Sequence, residues 1–486
     1  MAKNISIKKA TAVYGVAKYS TIVIQLLISA ILSRLLTPDD YGLVAVVTVF
    51  TTLFSKLSDL GLGTAVTQYK DLSKRDVQDI FVFSEYFALG IALIFALLAY
   101  PISLFYSSAT FVPIIVLLAI SVLFNSLNMI PNNLLLKEKK FFQVGMRMIV
   151  STALSGLIAI FLAFIGAKYY ALVIQSILSA VIQFLWNFFS TDVKFGLKFN
   201  YAPIKRVKNY SGNQFAYNML NYLAQNMDNL LTGKIMGKAL LAYYNKGFTL
   251  MRYPVNNIAH AVTPVLHPIL SEHQDNKKYI YDEFVKIIKF MSLVGVFLTV
   301  FCFWADEEII ICFFGNQWYK AVEPFKWLSI CISAQMMNAL FGSIYQSLGC
   351  TKQMLHSGYF HISISLLAIV IGAISKDISV LAIFVSGSMI IKFFIESYFL
   401  IRKSFHFSLS KFLINLLPDI LIFGVLFAIV LLIGDFASLK LWQSLFLKLA
   451  VCGIIYLVIL IITKQLKYLL AVIPDGIKKK FSRKGK

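Results

Sequence analysis

Residues 28–43 read ISAILSRLLTPDDYGL, and residues 228–243 read DNLLTGKIMGKALLAY. Each stretch gives the end of one helix, a short turn and the start of the next helix, and the two stretches lie 200 residues apart. The correspondence includes the basic residue before each turn, Arg34 in the first copy and Lys234 in the second. We therefore predict two copies of one helical unit, a pattern typical of transporters whose two bundles move against each other.

The composition indicates a polytopic membrane protein. Of the 486 residues, 59% are hydrophobic and only 14% are charged, and the mean hydropathy is +0.76. A soluble domain of ordinary charge content cannot bury so much apolar surface. A bilayer crossing takes about 20 apolar residues, and about fourteen runs are long enough. They lie at residues 10–36, 41–67, 79–103, 111–130, 143–166, 168–190, 211–235, 240–270, 284–305, 322–346, 354–375, 377–400, 412–434 and 441–463.

The repeat and the spans together predict an all-α fold of two pseudo-symmetric six-helix lobes and two extra helices. The expected divisions are residues 1–200, 201–403 and 404–486, the last with a basic tail. Most of the 45 Lys and Arg residues lie in segments that are cytoplasmic if the N-terminus is, Lys289 included. The positive-inside rule then places both termini in the cytoplasm. Topology and anionic lipid account for the net charge of +22 without a nucleic-acid partner.

The sequence lacks the motifs of common catalytic and nucleotide-driven proteins. It has no Walker loop, no His-Glu-x-x-His, no Gly-x-Ser-x-Gly and no aspartate-rich cluster. Its five cysteines show no metal-ligand spacing, and no loop is long enough for a catalytic domain. We therefore expect neither an enzyme nor a cofactor or metal site.

Charged groups inside the predicted spans are the main functional candidates, because each costs at least about 2.5–3.5 kcal/mol there. Cations outnumber acids, which favours an anionic ligand. Lys56 and Asp59 lie three residues apart, so mutual neutralisation is the alternative for Lys56. Snorkelling toward headgroups is the alternative for Lys18 and Arg252. The candidate cations are Lys18, Lys56, Lys246 and Arg252. A second pair of opposite charges at helical spacing is formed by Lys392 and Glu396.

The seventh span carries a polar stripe at positions 214, 218, 221, 225 and 228. Steps of three and four residues place these positions on one helix face. Amides offer both donors and acceptors to sugar hydroxyls. The alternative is helix–helix hydrogen bonding, at about 0.6 kcal/mol per contact. The candidate amides are Asn218, Asn221 and Gln225, together with Gln25, which corresponds to Gln225 in the first copy.

Energy coupling has few candidates in this chain. Without a nucleotide site, an ion gradient, the membrane potential or consumption of the product must drive transport. A carboxyl group in a low-dielectric site can exchange protons. Asp228 is the favoured coupling residue and Asp59 the second, with H⁺ or Na⁺ as the ion. Glu85 lies close to the inner surface and is less favoured.

Five motifs together resemble a known family. They are LSRLLTPDDYGL at residues 32–43, SDLGLGTA at 58–65, QYKDLS at 68–73, LLAYYNKG at 240–247 and FGNQW at 314–318. The sequence over residues 5–460 resembles the polysaccharide-export flippases, the Wzx and teichuronic-acid-exporter branch of the MATE-like (MOP) superfamily.

This resemblance implies two six-helix lobes around a central cavity. It also implies a polyprenyl-diphosphate-linked oligosaccharide as the cargo, moved to the outer leaflet for cell-surface polysaccharide assembly. Membrane lipids, and the polysaccharide polymerase and export machinery, are the expected partners. Two alternatives stay open: a multidrug/cation antiporter of the same fold and a membrane polysaccharide polymerase.

Overall fold

The structure is a computed structural model. It describes residues 7–59, 62–63, 66, 69, 71–138, 140–259, 270, 274–436 and 439–471. Within these ranges the description leaves out the side chains of residues 7–14, 59, 207–218, 220–221, 223–225, 351 and 471. The described residues are mostly helical and contain no β-strand.

Ten helices with defined bounds are described before residue 260. They are α1 (Ile7–Leu35), α2 (Pro38–Asp59), α3 (Lys74–Leu97), α4 (Ala99–Phe105), α5 (Phe111–Leu127), α6 (Met129–Lys137), α7 (Phe141–Phe164), α8 (Tyr170–Phe189), α9 (Ala202–Ile235) and α10 (Lys238–Pro254). A π-helical segment, Val255–Ala259, continues α10.

Nine further helices are described after residue 270. They are α11 (Lys277–Trp304), α12 (Asp306–Phe314), α13 (Val322–Ser329), α14 (Ile332–Ser347), α15 (Thr351–Ile374), α16 (Ile378–Ser397), α17 (Leu409–Ile433), α18 (Leu441–Ile462) and α19 (Leu466–Ala471). A 3₁₀ segment, Asn316–Ala321, precedes α13, and a π-helical segment, Tyr398–Phe405, follows α16.

The expected count of fourteen spans is not confirmed. Eleven helical segments in the described ranges are long and apolar enough to cross a membrane, or twelve if a pair bent by 57° at residues 330–331 is one span. The seventh and eighth predicted spans, at α9 and α10, do not qualify. The 34-residue α9 is long enough but rich in amides and lysines, whereas α10 has only 17 residues before its π-helical continuation.

The chain forms two compact units, residues 1–242 and 243–486. The first unit includes α9, which packs on α2 and α3. The expected lobes, residues 1–200 and 201–403, follow the sequence repeat. The two compact units instead follow the contacts between helices, so the lobe boundaries stay a prediction.

The turn that opens α2 is fixed by its own sequence. Thr37 precedes the helix and its hydroxyl accepts from the Asp40 amide at 3.2 Å, while an Asp40 carboxylate oxygen accepts from the Thr37 amide at 3.0 Å. This reciprocal cap satisfies amides that have no partner within the helix. Pro38 occupies the first helical position, where no amide hydrogen is needed. The same Asp40 also accepts from the Tyr169 amide at 3.2 Å, which ties the turn to α8.

The turns of the two sequence repeats meet inside the first unit. Gly42 packs so closely on Lys238 that a Cβ at position 42 would collide with the Lys238 carbonyl. The Lys238 amino group lies 3.9 Å from a carboxylate oxygen of Asp39. Only glycine allows this approach, so the repeated helix–turn–helix element builds a contact between its own two copies.

The second unit includes the two extra helices, α17 and α18, which pack on α11. Their shared core is apolar over most of its length and consists of Leu293, Val296, Val300 and Trp304 of α11, Ile422, Leu426 and Val430 of α17, and Cys452, Tyr456 and Leu460 of α18. Two buried lysines add polar contacts. The first, Lys289, lies 3.6 Å from Asp419 and donates to the Asn415 carbonyl at 2.9 Å.

The second buried lysine, Lys448 of α18, is 3% exposed at its side chain. Its amino group lies 2.7 Å from Glu308 and 2.8 Å from Asp435, and donates to the Trp304 carbonyl at 2.9 Å. The same Glu308 oxygen accepts from the Ser444 hydroxyl at 2.5 Å. Ion pairs therefore tie each extra helix to the rest of the second unit.

Candidate functional site

Lys56 is the predicted cation that the structure brings to the polar seventh span. It lies exposed on α2, with its amino group 5.8 Å from the centre of the Tyr222 ring of α9. The Tyr222 hydroxyl donates to the Val49 carbonyl at 2.6 Å, which fixes this ring against α2. A lysine over an aromatic face is held by a weak attraction and keeps its amino group available to an anion.

Two other candidates share a face of α1. Lys18 is half-buried and Gln25 is exposed, and a spacing of seven residues places them on one side of the helix. The adjacent face of α1 packs on α7, and it is formed by Ala17, Thr21, Ile28 and Leu32. Both polar groups thus lie at the edge of the α1–α7 contact.

Lys246 lies in an aromatic cage. Its amino group is 4.4 Å from the centre of the Phe314 ring and 4.9 Å from the Trp318 ring. Both rings are buried, and Tyr243 packs edge-on against Trp318 at 5.9 Å. Lys246 itself is 8% exposed. A desolvated cation gains about 2 kcal/mol or more from such rings, so the cage supplies a structural role for this lysine.

The cage also explains why two distant motifs occur together. The motif around Tyr243 and Lys246 meets the motif that contains Phe314 and Trp318, although about 70 residues separate them. Beside them, a Cβ at Gly247 would come within 3.1 Å of the Phe325 amide nitrogen. The YNKG and FGNQW sequences therefore form one packed cluster at α10, α12 and α13.

Arg252 occupies a different side of α10. Six residues, or 240° of helix, separate it from Lys246. Its guanidinium lies 5.6 Å from the Phe248 ring, and it interacts electrostatically with Lys392 of α16. Lys246 and Arg252 therefore do not join in one site, whereas Arg252 and Lys392 interact electrostatically.

The carboxylate beside this pair is Glu396. It interacts electrostatically with Lys392, one turn away on α16. One of its oxygens accepts from the Ser357 hydroxyl at 3.0 Å, and the other lies 3.8 Å from Nδ1 of His361. The predicted i,i+4 pair of Lys392 and Glu396 thus exists, but it is part of a larger cluster with α15 and Arg252.

The coupling candidates are only partly described. Asp228 is 4% exposed on α9, and its carboxylate accepts from the neighbouring Asn229 amide at 2.8 Å. Asp59 ends α2, and its side chain lies outside the described residues. The same is true of the side chains of three predicted sugar-binding amides, Asn218, Asn221 and Gln225.

The sequence alone did not indicate that two lysines are buried. Lys289 was expected at the cytoplasmic surface, but it is buried in α11 and paired with Asp419. Lys448 was not singled out. The available signal was an acid in a neighbouring apolar run, Asp419 in the thirteenth predicted span, which is as costly in a membrane as a lysine.

A family model described as "Polysaccharide biosynthesis protein" matches residues 31–323, more than half of the chain. The chain belongs to this family. The matched range includes the capped turn at Thr37 and the cluster around Lys246, so the family's extent covers both of the packed motifs described above.

Curated relatives agree with this family. The chain is 21% identical to the lipopolysaccharide biosynthesis protein WzxC of Escherichia coli over 73% of this chain and 74% of that protein. It is 23% identical to the teichuronic acid biosynthesis protein TuaB of Bacillus subtilis over 63% of this chain and 64% of that protein. The predictions of the family and of a membrane protein for polysaccharide assembly are confirmed.

Solved structures confirm the fold class. The lipid II flippase MurJ in an inward closed conformation matches with a TM-score of 0.73 at 13% identity, over 93% of this chain and 99% of that chain. An inward-facing multidrug resistance MATE transporter of the MOP superfamily matches with a TM-score of 0.60 at 14% identity, over 77% and 92%. At these identities the likeness concerns the all-α transporter fold alone.

Proposed function

We propose that the protein flips a polyprenyl-diphosphate-linked oligosaccharide from the cytoplasmic to the outer leaflet by alternating access. The diphosphate head is too polar to cross hydrocarbon without a cationic path. Family membership supports a saccharide cargo, since the relatives act in lipopolysaccharide and teichuronic acid biosynthesis. The fold is one that transporters use.

The observation that carries the proposal is the electrostatic interaction of Arg252 with Lys392, on two helices of a chain that belongs to a polysaccharide biosynthesis family. Two positive charges within electrostatic range are unfavourable unless an anion or an acid compensates them. Glu396 supplies one negative charge and is shared with Ser357 and His361. A diphosphate can accept hydrogen bonds from both an arginine and a lysine side chain.

The predicted residues divide by their surroundings. Arg252 is the main diphosphate-binding candidate, and Lys56 and Lys18 are the cations of the first unit. Lys246 is a weaker binding candidate, because its amino group already contacts two rings. The amides Gln25, Asn218, Asn221 and Gln225 would hold sugar hydroxyls.

We also propose that the protein is a transporter without catalytic chemistry, that it lies in the inner membrane, and that both termini are cytoplasmic. Transport would be coupled to H⁺ or Na⁺ through Asp228 or Asp59.

The fold does not separate this function from cation export, because fold alone does not define a ligand. The charge does. A pump for organic cations needs embedded carboxylates in excess, whereas Lys18, Lys56 and Arg252 give the opposite balance.

The test is flipping of a fluorescent polyprenyl-diphosphate oligosaccharide in proteoliposomes. We expect Arg252→Ala to lower the initial rate at least about tenfold, which corresponds to a barrier higher by about 1.4 kcal/mol. Arg252→Lys should keep part of the rate but lose the bidentate fork. Arg402→Ala, which removes an exposed arginine of the same unit, is the matched control and should flip normally.

Three outcomes contradict parts of the proposal. If the parent protein moves no labelled lipid, the flippase function is wrong. If Arg252→Ala flips at the parent rate, the diphosphate binds elsewhere. Coupling is tested by imposing a proton gradient on the parent and on Asp228→Asn, since equal stimulation of both would exclude Asp228.

A further inference from the structure

The segment between α8 and α9 has no helix and begins in contact with the start of α3. The Lys74 amino group donates to the Asp192 carboxylate at 2.7 Å, and both side chains are exposed. Two residues on, the Lys194 amide donates to the Gln78 side-chain oxygen at 2.9 Å, and the Gln78 amide nitrogen donates to the Lys194 carbonyl. One glutamine thus satisfies both backbone groups of Lys194.

The contacts continue along α3. The Gly196 amide lies 3.4 Å from a Glu85 carboxylate oxygen and donates to it, and the Tyr86 hydroxyl donates to the Leu197 carbonyl at 3.0 Å. Gly196 is held close to the helix, because a Cβ there would lie 2.9 Å from a methyl carbon of Val82. Glu85, an unexplained acid within a membrane-spanning helix, therefore has a partner in this segment.

The spacing of these contacts defines the path of the segment. From Lys74 to Tyr86 α3 rises by about 18 Å. The five steps between consecutive residues from Asp192 to Leu197 reach about 17 Å when extended. The two lengths agree, so residues 192–197 run beside α3, in the same direction, from its polar first turn toward its apolar middle.

This path takes Leu197 to membrane depth. The first turns of α3 are polar up to Asp79, and its apolar sequence starts at Ile80. Tyr86, which contacts Leu197, lies about 9 Å beyond Ile80 along the helix. Backbone at such depth must find hydrogen-bond partners in the protein. Glu85 and Tyr86 supply such partners for the Gly196 amide and the Leu197 carbonyl.

The side chains of the segment divide into two sets. Val193 is buried and Phe199 is partly buried in the core formed with Val77, Ile80 and Phe81. The other set is more exposed: Leu197 is 88% exposed, and Phe195 is 57% exposed although one side of its ring packs on Phe188 at 4.8 Å. Lys194 and Lys198, next to them, are also exposed. An outward surface with large apolar groups beside lysines fits the boundary between acyl chains and phosphate headgroups.

We propose that residues 192–199 form a lipid-binding wedge, in which Phe195 and Leu197 enter the acyl chains while Lys194 and Lys198 bind phosphates of anionic phospholipids. The leaflet is the one beside the first turn of α3, which the positive-inside rule identifies as cytoplasmic. Exposed Arg75 and Lys205 add positive charge nearby. The attraction is about 1 kcal/mol per basic residue near such a surface. This wedge does not depend on the proposed cargo.

Insertion is tested by photocrosslinking of the full-length protein in vesicles of phosphatidylglycerol and phosphatidylethanolamine. The photoreactive residue p-benzoylphenylalanine replaces Leu197, or Asp192 as the matched control at the level of Lys74. Mass spectrometry should find phospholipid adducts at position 197 in at least about tenfold excess over position 192, because acyl chains surround only the deeper site. Absence of adducts at 197, or equal yields at both sites, would overturn the wedge.

Headgroup binding is tested with Lys194→Gln/Lys198→Gln. Phosphatidylglycerol added to the detergent-solubilised parent should raise its Tm, since a ligand of the folded state stabilises it, and this variant should lose about half of the rise or more. Lys278→Gln/Lys352→Gln removes two exposed lysines of the other unit and is the charge-matched control, which should keep most of the rise. Equal responses of the two variants would show that these lysines bind no headgroup.

Discussion

Lys56 and Lys448 are both lysines of helices that cross the membrane, but their neighbours differ. Lys448 is 3% exposed and contacts the carboxylates of Glu308 and Asp435. Lys56 is exposed and rests over the Tyr222 ring at 5.8 Å. Lys448 is neutralised by these two carboxylates and connects α18 to the rest of the second unit. Lys56 keeps an amino group that an anion can approach, so the surroundings of a membrane cation, and not its presence, make it a ligand-binding candidate.

The largest expected effect is the loss of stability when Lys448 is replaced. Lys448→Leu leaves Glu308 buried without its cation, which should cost about 3–5 kcal/mol of stability. The measurement is the Tm of purified protein in detergent. Lys448→Leu/Glu308→Leu should recover most of the loss, because apolar residues of similar volume replace buried ion pairs at little cost. A double variant as unstable as the single one would show that the pair has no such role.

A similar but smaller loss of stability is expected when the ion pair that holds α17 is broken. Lys289→Leu leaves the 1% exposed Asp419 side chain without its cation and should cost about 3 kcal/mol. Asp419→Leu should cost less, since Lys289 still donates to the Asn415 carbonyl. Denaturation in matched detergent compares the two variants. The reverse order of stabilities would contradict the assignment of Asn415 as a sufficient partner.

The stability of the protein should also depend on pH through Asp306, a carboxyl group near Lys448. Burial raises the pKa of Asp306 from 3.8 to about 6, although Lys326 lowers it in part. The folded state therefore binds a proton more tightly than the unfolded state, and this contribution is complete below about pH 4 and lost as pH rises through about 6. At most it amounts to about 3 kcal/mol, from the two pKa units involved.

Asp306→Asn should remove this dependence. The Asn oxygen can still accept from the Glu307 amide, which now donates to Asp306 at 2.9 Å. We expect the Tm of the parent to fall between pH 4 and pH 7 by more than that of the variant. Parallel Tm curves over this range would assign the pH dependence to other groups.

The smallest effect on stability is expected at Lys56. Lys56→Met should cost about 0.5–1 kcal/mol, the size of an exposed cation–π contact. Its flipping rate in proteoliposomes should nevertheless fall, because the amino group is proposed to contact the diphosphate. Lys448→Leu/Glu308→Leu is the comparison variant and should flip at the parent rate. If both variants flip normally, the contrast between available and neutralised lysines has no functional meaning.

The sequence alone determined the membrane class, the family resemblance and most helices, because long apolar runs and caps such as that of Thr37 and Asp40 act within a few residues. It also made Arg252 a candidate for ligand binding, and this stays a prediction. Only the tertiary structure showed that Lys289 and Lys448 are neutralised, that Lys246 lies in an aromatic cage, and that Lys392 interacts electrostatically with Arg252. These interactions join residues 68 to 140 positions apart. No local pattern specifies such partners, since packing between distant helices decides which side chains meet.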